Sequence, residues 1–155
     1  MRRDLRGRVV LVTGASRGIG RRAAGRLAKL GARLALTARS ADAFPGDLTD
    51  PGDRERIVAG TVAKFGGLDV LVNCAGVCSF GEFSTSTEDI VRRVLEVNFF
   101  AQAEMIRVAH PHLLKSGEQA ANGWRPAVVN VASICGRWGI RRCPSTAPAS
   151  TPSSG

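Results

Sequence analysis

The 155-residue sequence contains no tyrosine and few other aromatic residues, which together make up 5% of the chain. A surface that binds single-stranded nucleic acid stacks bases on aromatic side chains, so such a surface is poorly supplied here. No apolar run approaches the roughly 20 residues that a membrane-spanning helix needs. We therefore expect neither a nucleic-acid partner nor a membrane span, although the net charge is +9.

The basic residues and the cysteines are dispersed rather than grouped. Arginine pairs recur along the chain, at 21–22, 92–93 and 141–142, whereas a nucleic-acid site needs clustering on one face. The cysteines, at positions 74, 78, 135 and 143, form no Cys-x-x-Cys pair, and no histidine lies at zinc-finger spacing from them. The basic N-terminus lacks the apolar stretch of a signal peptide. These features predict reduced thiols, no metal site and a cytoplasmic protein.

Short β-branched runs alternate with segments of helical periodicity. The pattern predicts strands at 8–12, 33–37, 69–72 and 127–131, a short strand within 43–48, and helices at 18–30, at 51–65 and from Thr87 onward. Such alternation is typical of parallel strands joined by right-handed crossovers, with helices on both faces of the sheet. The predicted fold class is therefore α/β, a Rossmann-like doubly wound parallel sheet in three layers, truncated after the fifth strand.

Capping residues support the helix boundaries. Asp50 is a candidate N-cap ahead of Pro51 at the first helical position, and Gly31 follows the first helix. Thr87 is expected to cap the long third helix. Pro111 is expected to bend or end that helix, because proline has no N–H to donate.

A glycine-rich turn, Thr13-Gly14-Ala15-Ser16-Arg17-Gly18-Ile19-Gly20, separates the first strand from the first helix. Glycines let the backbone turn tightly and approach a pyrophosphate, and the helix N-terminus offers it free N–H groups. Because the turn lies in this strand-turn-helix context, it predicts a dinucleotide site. Its cofactor-binding residues would be Gly14, Ser16, Arg17, Gly18, Ile19 and Gly20.

The second strand is followed by Thr37-Ala38-Arg39-Ser40, which lacks the acidic residue that an NAD site places there for the ribose 2′-hydroxyl. Arg39, helped by Arg17, could pair with a 2′-phosphate through charge-assisted hydrogen bonds. The sequence therefore favours NADP(H) over NAD(H). The alternative is that both arginines are solvated surface residues.

The spacing of the glycine turn resembles the T-G-x-x-x-G-x-G fingerprint of the short-chain dehydrogenase/reductase family, and the resemblance extends from about Gly7 to Ile140. Asp47-Leu48-Thr49-Asp50 resembles the family's D-[VL]-T-D segment, which implies that Asp47 and Leu48 line an adenine pocket. Asn73-Cys74-Ala75-Gly76 resembles its N-N-A-G motif, with Cys74 in place of the second asparagine. This match implies that Asn73, Ala75 and Gly76 support the sheet and the cofactor ribose. The family's connecting helix between Ser40 and Asp47 is expected to be absent.

The resemblance also implies half of a catalytic tetrad of Asn, Ser, Tyr and Lys. Asn98, in Glu96-Val97-Asn98-Phe99-Phe100, matches the asparagine that bends the helix and holds a proton-relaying water. Ser133 matches the serine at the end of the fifth strand that hydrogen-bonds the substrate carbonyl. The implied reaction is hydride transfer between nicotinamide and a small-molecule carbonyl or alcohol, in a parent protein that is a homo-oligomer.

The other half of the tetrad is missing. Its Tyr should lie about thirteen residues after Ser133 and its Lys four further on, where the chain has Thr146 and Ser150. Threonine cannot replace a phenol as proton donor, and serine supplies no charge to lower a phenol's pKa. Because general acid–base catalysis contributes roughly 10²–10⁴ in rate, we expect the chain to be inactive in this form.

The segment from Arg141 to Gly155 is rich in Pro, Ser and Thr without hydrophobic periodicity, which predicts a disordered tail after an incomplete dinucleotide-binding domain at 1–140. Back-translated and read two bases later, it can encode Pro-Leu-Pro-Val-Tyr-Gly-Ala-Ser-Lys-His-Ala, with the tyrosine at position 146. This suggests a single-base deletion or a sequencing error near codon 141. The alternatives are a non-catalytic nucleotide-binding pseudoenzyme and a fragment without function.

Overall fold

The computed structural model describes residues 4–39, 44–120 and 123–133. Within them, five parallel strands form one sheet in the order β3-β2-β1-β4-β5. The strands are β1 (Val9–Thr13), β2 (Arg33–Ala38), β3 (Phe44–Pro45), β4 (Val70–Asn73) and β5 (Ala127–Asn130), and the α-helices are α1 (Gly18–Lys29), α2 (Pro51–Phe65), α3 (Glu88–Leu95) and α4 (Ala101–Glu118). This is the Rossmann-like α/β fold that the alternating pattern predicted.

The side chains of β1 alternate between two cores, which makes the fold three-layered. Val9 and Leu11 join Leu71 and residues of α2 and α4 on one face of the sheet. Val10 and Val12 pack on the other face, which Leu27 of α1 also contacts. All four β1 side chains are almost fully buried, and burial of each contributes about 1.5–3 kcal/mol. The central strand is thus apolar on both sides and reads as a continuous hydrophobic run.

The predicted ends of α2 agree with its structure. The Asp50 side chain accepts a 2.8 Å hydrogen bond from the N–H of Asp53, and Pro51 occupies the first turn. The helix ends at Gly66, whose φ of 84° lies in the left-handed region that favours glycine. These local signals are sufficient to place a helix at 51–65.

The long helix predicted after Thr87 is divided in the structure. A π-helical turn, Glu96–Phe100, separates α3 from α4, and Thr87 caps α3 through a 3.4 Å bond from the N–H of Ile90. Pro111 lies inside α4, which continues to Glu118, so Pro111 does not end the helix. Burial of Met105, Ala109 and Leu113 on either side of it holds the helix against the sheet despite the missing N–H.

A buried carboxylate ties together the amino ends of the strands. Asp69 accepts hydrogen bonds from the N–H of Val9 (2.8 Å), from Arg8 Nη1 (3.2 Å) and from Ser116 Oγ (2.6 Å). The guanidinium of Arg8 also stacks over the ring of Trp124, 4.3 Å from its centroid. This network joins β1, β4, α4 and the loop before β5, at the end of the sheet opposite the carboxyl ends of the strands. None of the helices between residues 4 and 133 that the structure describes is long and apolar enough to cross a membrane.

Candidate functional site

A cleft of about 590 Å³ opens at the carboxyl ends of the parallel strands. Its walls come from the loops that follow β1, β2 and β4, from the segment after β3, and from α3 and the π-helical turn. Ligands of open α/β sheets bind at this edge, where neighbouring loops diverge to opposite faces of the sheet. The position agrees with the site that the glycine turn predicted.

The structure brings nearly all the sequence-predicted cofactor residues to this cleft. Asn73 is the exception, since it is fully buried beneath the cleft at the end of β4. The predicted residues that line the cleft are Gly14, Ser16, Arg17, Gly18, Ile19, Gly20, Arg39, Asp47, Leu48, Ala75 and Gly76.

Main-chain atoms packed at close range form the floor of the cleft. Gly14 has a φ of +66°, and a Cβ on it would lie 2.7 Å from the Cα of Ala75. A Cβ on Gly20 would overlap the carbonyl oxygen of Gly14. Thr13 fixes the same approach from below, because its hydroxyl accepts from the N–H groups of Cys74 (3.0 Å) and Ala75 (3.1 Å). A side chain at either glycine would fill this cradle.

The amino end of α1 faces the cleft without a cap of its own. Arg17 occupies the N-cap position with no side-chain cap bond, and the first turn holds no acidic residue. The first N–H groups of a helix lack intrahelical partners and carry partial positive charge. Together with the glycine cradle, this end of α1 fits a pyrophosphate, which needs close backbone approach and N–H donors.

Three arginines and one carboxylate supply the formal charges among the residues that line the cleft: Arg17, Arg39, Arg93 and Asp47. The Oδ1 of Asp47 accepts from the N–H (3.0 Å) and hydroxyl (2.8 Å) of Thr49, and its Oδ2 lies 3.5 Å from Nη2 of Arg93. The Thr49 donors first, and then Arg93, hold the pKa of Asp47 below its usual value. The described rim is therefore basic, and its single carboxylate is ionised and partly paired.

The segment that carries Asp47 and Leu48 is anchored from α2. Arg54 is buried, and its Nη1 donates a 2.6 Å hydrogen bond to the carbonyl of Leu48. The N–H of Asp47 donates to Oδ2 of Asp53 at 2.8 Å. These bonds fix the backbone of the predicted adenine pocket against a helix whose position the sheet already determines.

Asn98 lies in the π-helical turn, so the helical distortion expected there is present. Its Oδ1 accepts from the N–H of Val77 and its Nδ2 donates to the carbonyl of Val77, both at 2.8 Å. Gln102 donates to the carbonyl of Ala75 at 3.0 Å. The distorted helix thus holds the loop after β4 through paired side-chain bonds, and Asn98 itself does not line the cleft.

Ser133 follows β5 on the same edge of the sheet and is exposed, but it does not line the cleft, whereas Val131 does. At the end of β4, the Nδ2 of Asn73 donates to Oδ1 of Asn130 (3.0 Å) and to the carbonyl of Gln102 (3.3 Å), which ties β5 to the centre. Thr146, Ser150 and the predicted tail lie outside the described residues, as do residues 40–43 of the segment expected to lack a helix.

Sequence reasoning missed several residues that line the cleft. Thr37, Val77 and Val97 carry no distinctive chemistry, and Arg93 reaches the site from a helix distant in sequence. Cys74 was noted as a departure from the motif, and it lines the cleft with a thiol whose pKa is raised by burial. Among these residues, Cys74 had a signal in the sequence, since it lies in the motif that follows the strand predicted at 69–72.

Residues 8–145 match the family model of short chain dehydrogenases. The chain is 33% identical over 150 residues to an L-rhamnose 1-dehydrogenase (NAD(P)(+)) of Sphingomonas sp. (strain SKA58), a match that covers 85% of this chain and 58% of that protein. It is 39% identical over 133 residues to 11-beta-hydroxysteroid dehydrogenase 1A of Arabidopsis thaliana, covering 73% and 38%. The chain therefore spans about 40–60% of the length of these curated relatives.

The fold is similar to that of solved enzymes. The crystal structure of NADH-dependent reductase A1-R′, responsible for alginate metabolism, superposes with a TM-score of 0.80 at 30% identity, covering 90% of this chain and 64% of that one. The same reductase complexed with NAD also gives a TM-score of 0.80. Since the family model covers most of the chain and a solved relative shares its fold at 30% identity, the chain belongs to the short chain dehydrogenase family.

Proposed function

We propose that the cleft binds NADP(H) in preference to NAD(H), as the nucleotide-binding part of an oxidoreductase. The observation that carries this proposal is the pair Arg17 and Arg39, which are exposed on the rim of the cleft beside the end of β2. No carboxylate lies at positions 37–39 to bind a ribose 2′-hydroxyl. Guanidinium groups suit a 2′-phosphate, with which they form charge-assisted and often bidentate hydrogen bonds.

Each wall of the cleft has a part in holding the dinucleotide. The backbone from Gly14 to Gly20 would receive the pyrophosphate, and Arg39 with Arg17 the 2′-phosphate. Asp47 and Leu48 would border the adenine. Asn73, Ala75 and Gly76 would support the ribose and the sheet beneath it. The bound cofactor would supply or accept the hydride, and the chain's residues position it and keep its phosphates paired.

The intact parent of this chain would act on a carbonyl or alcohol group of a small molecule. Relatives include an L-rhamnose 1-dehydrogenase and an aldohexose dehydrogenase of Thermoplasma acidophilum, whose names describe such substrates. Ser133 would hydrogen-bond the substrate carbonyl, and Asn98 would hold a relay water through the helix distortion. Thr146 and Ser150 stand where a phenol and an ammonium are needed, so we propose that the chain binds nucleotide without turning it over. The second candidate is a nucleotide-binding pseudoenzyme, in which Thr146 and Ser150 are the native residues and no catalytically active parent exists.

The proposed function also implies a cellular location and a set of binding partners. Within the part of the chain that the structure describes, neither Cys74 nor Cys78 forms a disulfide, which agrees with a reducing, cytoplasmic location. The partners would be the cofactor, a small-molecule substrate and further copies of the parent chain, without nucleic acid.

Binding of NADPH and NADH to the purified chain, measured by titration calorimetry, tests the cofactor preference. We expect NADPH to bind about tenfold or more tightly than NADH, and Arg39→Ala to remove most of that advantage, because a hydrogen bond to a charged group contributes about 1.5–3 kcal/mol. NADH affinity should change little in this variant. Arg22→Ala is the matched control, since Arg22 is exposed on α1 and does not line the cleft.

Equal affinities for the two cofactors would contradict the NADP(H) preference. Failure of both to bind would contradict the nucleotide site itself. Weaker binding of both cofactors to Arg39→Ala, by the same factor, would show that Arg39 acts through general charge rather than on the 2′-phosphate.

A further inference from the structure

Arg93 connects two walls of the cleft that are distant in sequence. It lies on α3, with its side chain 49% exposed. Its Nη2 is 3.5 Å from Oδ2 of Asp47, and its Nη1 is 3.4 Å from the hydroxyl of Thr49. The guanidinium therefore spans from α3 to the segment after β3 and borders the adenine end of the proposed site.

The two oxygens of Asp47 have different partners. Oδ1 already accepts two hydrogen bonds from Thr49, at 3.0 and 2.8 Å. Among the described residues, the partner of Oδ2 is Arg93, at the long distance of 3.5 Å. Since the Asp47 side chain is 41% exposed and lines the cleft, Oδ2 keeps acceptor capacity toward a ligand.

An ionised carboxylate only accepts hydrogen bonds, so Oδ2 can recognise only a donor on the ligand. Adenine presents a 6-amino group, which donates. Hypoxanthine presents a 6-oxo group, which accepts and would face the carboxylate as a second acceptor. A site that hydrogen-bonds one group disfavours the analogue lacking it, because its own polar group is then left unpaired.

This inference rests on the proposed function. We propose that Arg93 is a positioning residue that sets the base specificity of the site: it holds Oδ2 of Asp47 toward the cleft, where the carboxylate selects a 6-aminopurine over a 6-oxopurine. Without Arg93, the carboxylate keeps its Thr49 bonds at Oδ1 but loses the contact that orients Oδ2. Asp53 packs against the same segment, but its charge is paired with Arg56, so Arg93 is left to Asp47.

The test compares NADPH with its hypoxanthine analogue, reduced nicotinamide hypoxanthine dinucleotide phosphate, by titration against the full chain. The wild type should bind NADPH about tenfold more tightly than the analogue. Arg93→Gln should weaken NADPH binding by about two- to fivefold, the range of an exposed ion pair, while binding of the analogue changes little, so the ratio between the two affinities should fall from about ten to about two to five. Loss of charge alone weakens both ligands equally, so the ratio separates positioning from general electrostatics.

Arg92→Gln is the matched control, because it removes the same charge from the residue that precedes Arg93 in α3. Arg92 pairs with Glu88 on the helix surface and does not line the cleft, so both affinities should stay at wild-type values. Should Arg93→Gln fail to fold by circular dichroism, Arg93→Lys replaces it. A single ammonium cannot bridge Asp47 and Thr49 as the guanidinium does, so the base preference must fall there too.

An unchanged ratio in Arg93→Gln, with NADPH still bound, would overturn this inference and leave the proposed function intact. A wild type that binds NADPH and its analogue equally would also overturn it. A wild type that binds neither NADPH nor NADH would overturn the proposed function and this inference together.

Discussion

Thr13 and Thr37 lie opposite each other on β1 and β2, both fully buried, yet their hydroxyl groups differ in use. The hydroxyl of Thr13 accepts two N–H groups of the loop after β4. The hydroxyl of Thr37 is buried and has no hydrogen-bond partner among the described residues. Folded proteins contain few such unpaired groups. Comparing Thr13 with Thr37 therefore distinguishes a hydroxyl that stabilises the fold by hydrogen bonding from one that is buried without a partner.

We expect Thr13→Val to lower the free energy of unfolding by about 1–3 kcal/mol, because it leaves N–H groups of Cys74 and Ala75 without their acceptor. Thr37→Val, the matched control, should be neutral or slightly stabilising, since it removes an unpaired buried hydroxyl. Urea unfolding of the two variants measures both. Equal destabilisation by the two substitutions would contradict the assignment of distinct roles.

For single residues, the sequence predicts a role only where the signal lies within one short segment of the chain. Gly14 and Gly20 belong to one turn, and their spacing alone indicates a close backbone approach. Arg93 contacts Asp47 from another segment of the chain, and nothing in the residues around Arg93 distinguishes it from Arg92. The catalytic roles expected of Asn98 and Ser133 stay predictions, since the described cleft is lined by neither.

The π-helical turn is the element that most affects the site. One extra residue in the turn interrupts the regular i→i−4 bonding between α3 and α4, and such turns recur at functional sites. Here the distortion presents Asn98 to the backbone of Val77 on both its N–H and its carbonyl. The loop after β4 is thereby positioned by a helix rather than by its own conformation.

Asn98→Ala should destabilise the protein by about 1–3 kcal/mol, since both polar groups of Val77 lose their partner. It should also weaken nucleotide binding, because the loop from Cys74 to Val77 lines the cleft. Thermal unfolding with and without NADPH measures both effects. Phe99→Ala serves as control, because Phe99 is an exposed neighbour in the same turn. A loss of stability in Phe99→Ala as large as that in Asn98→Ala would contradict the role given to Asn98.

The helices also show where sequence patterns stop being informative. Asp50, Pro51 and Gly66 mark α2 because capping is a short-range effect. The hydrophobic periodicity did not predict the division between α3 and α4, because it continues through the π-helical turn with little change, and only the family resemblance at Asn98 implied a distortion there. Pro111 was expected to bend or end α4, but tertiary burial of the neighbouring Ala109 and Leu113 carries the helix past it.

For the whole molecule, the parallel sheet and its flanking helices were predicted from the alternation of strand and helix patterns. The order of the strands was not, because each apolar run of a doubly covered sheet looks alike in sequence. The domain limits at residues 140 and 141 stay predictions, since residues 134–155 lie outside the described part.

Sequencing of the coding DNA tests whether the protein has a complete catalytic site. We expect independent sequencing across codons 130 to 160 to reveal one further base near codon 141, which places a tyrosine at position 146 and a lysine at 150. A chain with that frame should oxidise NADPH with aldoses or simple ketones, while the present chain should be slower by roughly 10²–10⁴. The matched control has the restored frame with phenylalanine in place of that tyrosine. An unchanged frame in the DNA would remove the enzyme interpretation and leave a nucleotide-binding protein.

The main-chain floor and the side-chain rim of the cleft differ in the substitutions that they can accept. Gly14 and Gly20 have no room for a side chain, so a substitution at either would fill the cradle that is proposed to hold a pyrophosphate. Arg17, Arg39 and Arg93 are exposed on the rim, where a replacement alters charge without disturbing the core. With the roles proposed for these arginines, a single surface substitution would change the preference for cofactor or base and leave the capacity to hold a dinucleotide as it is.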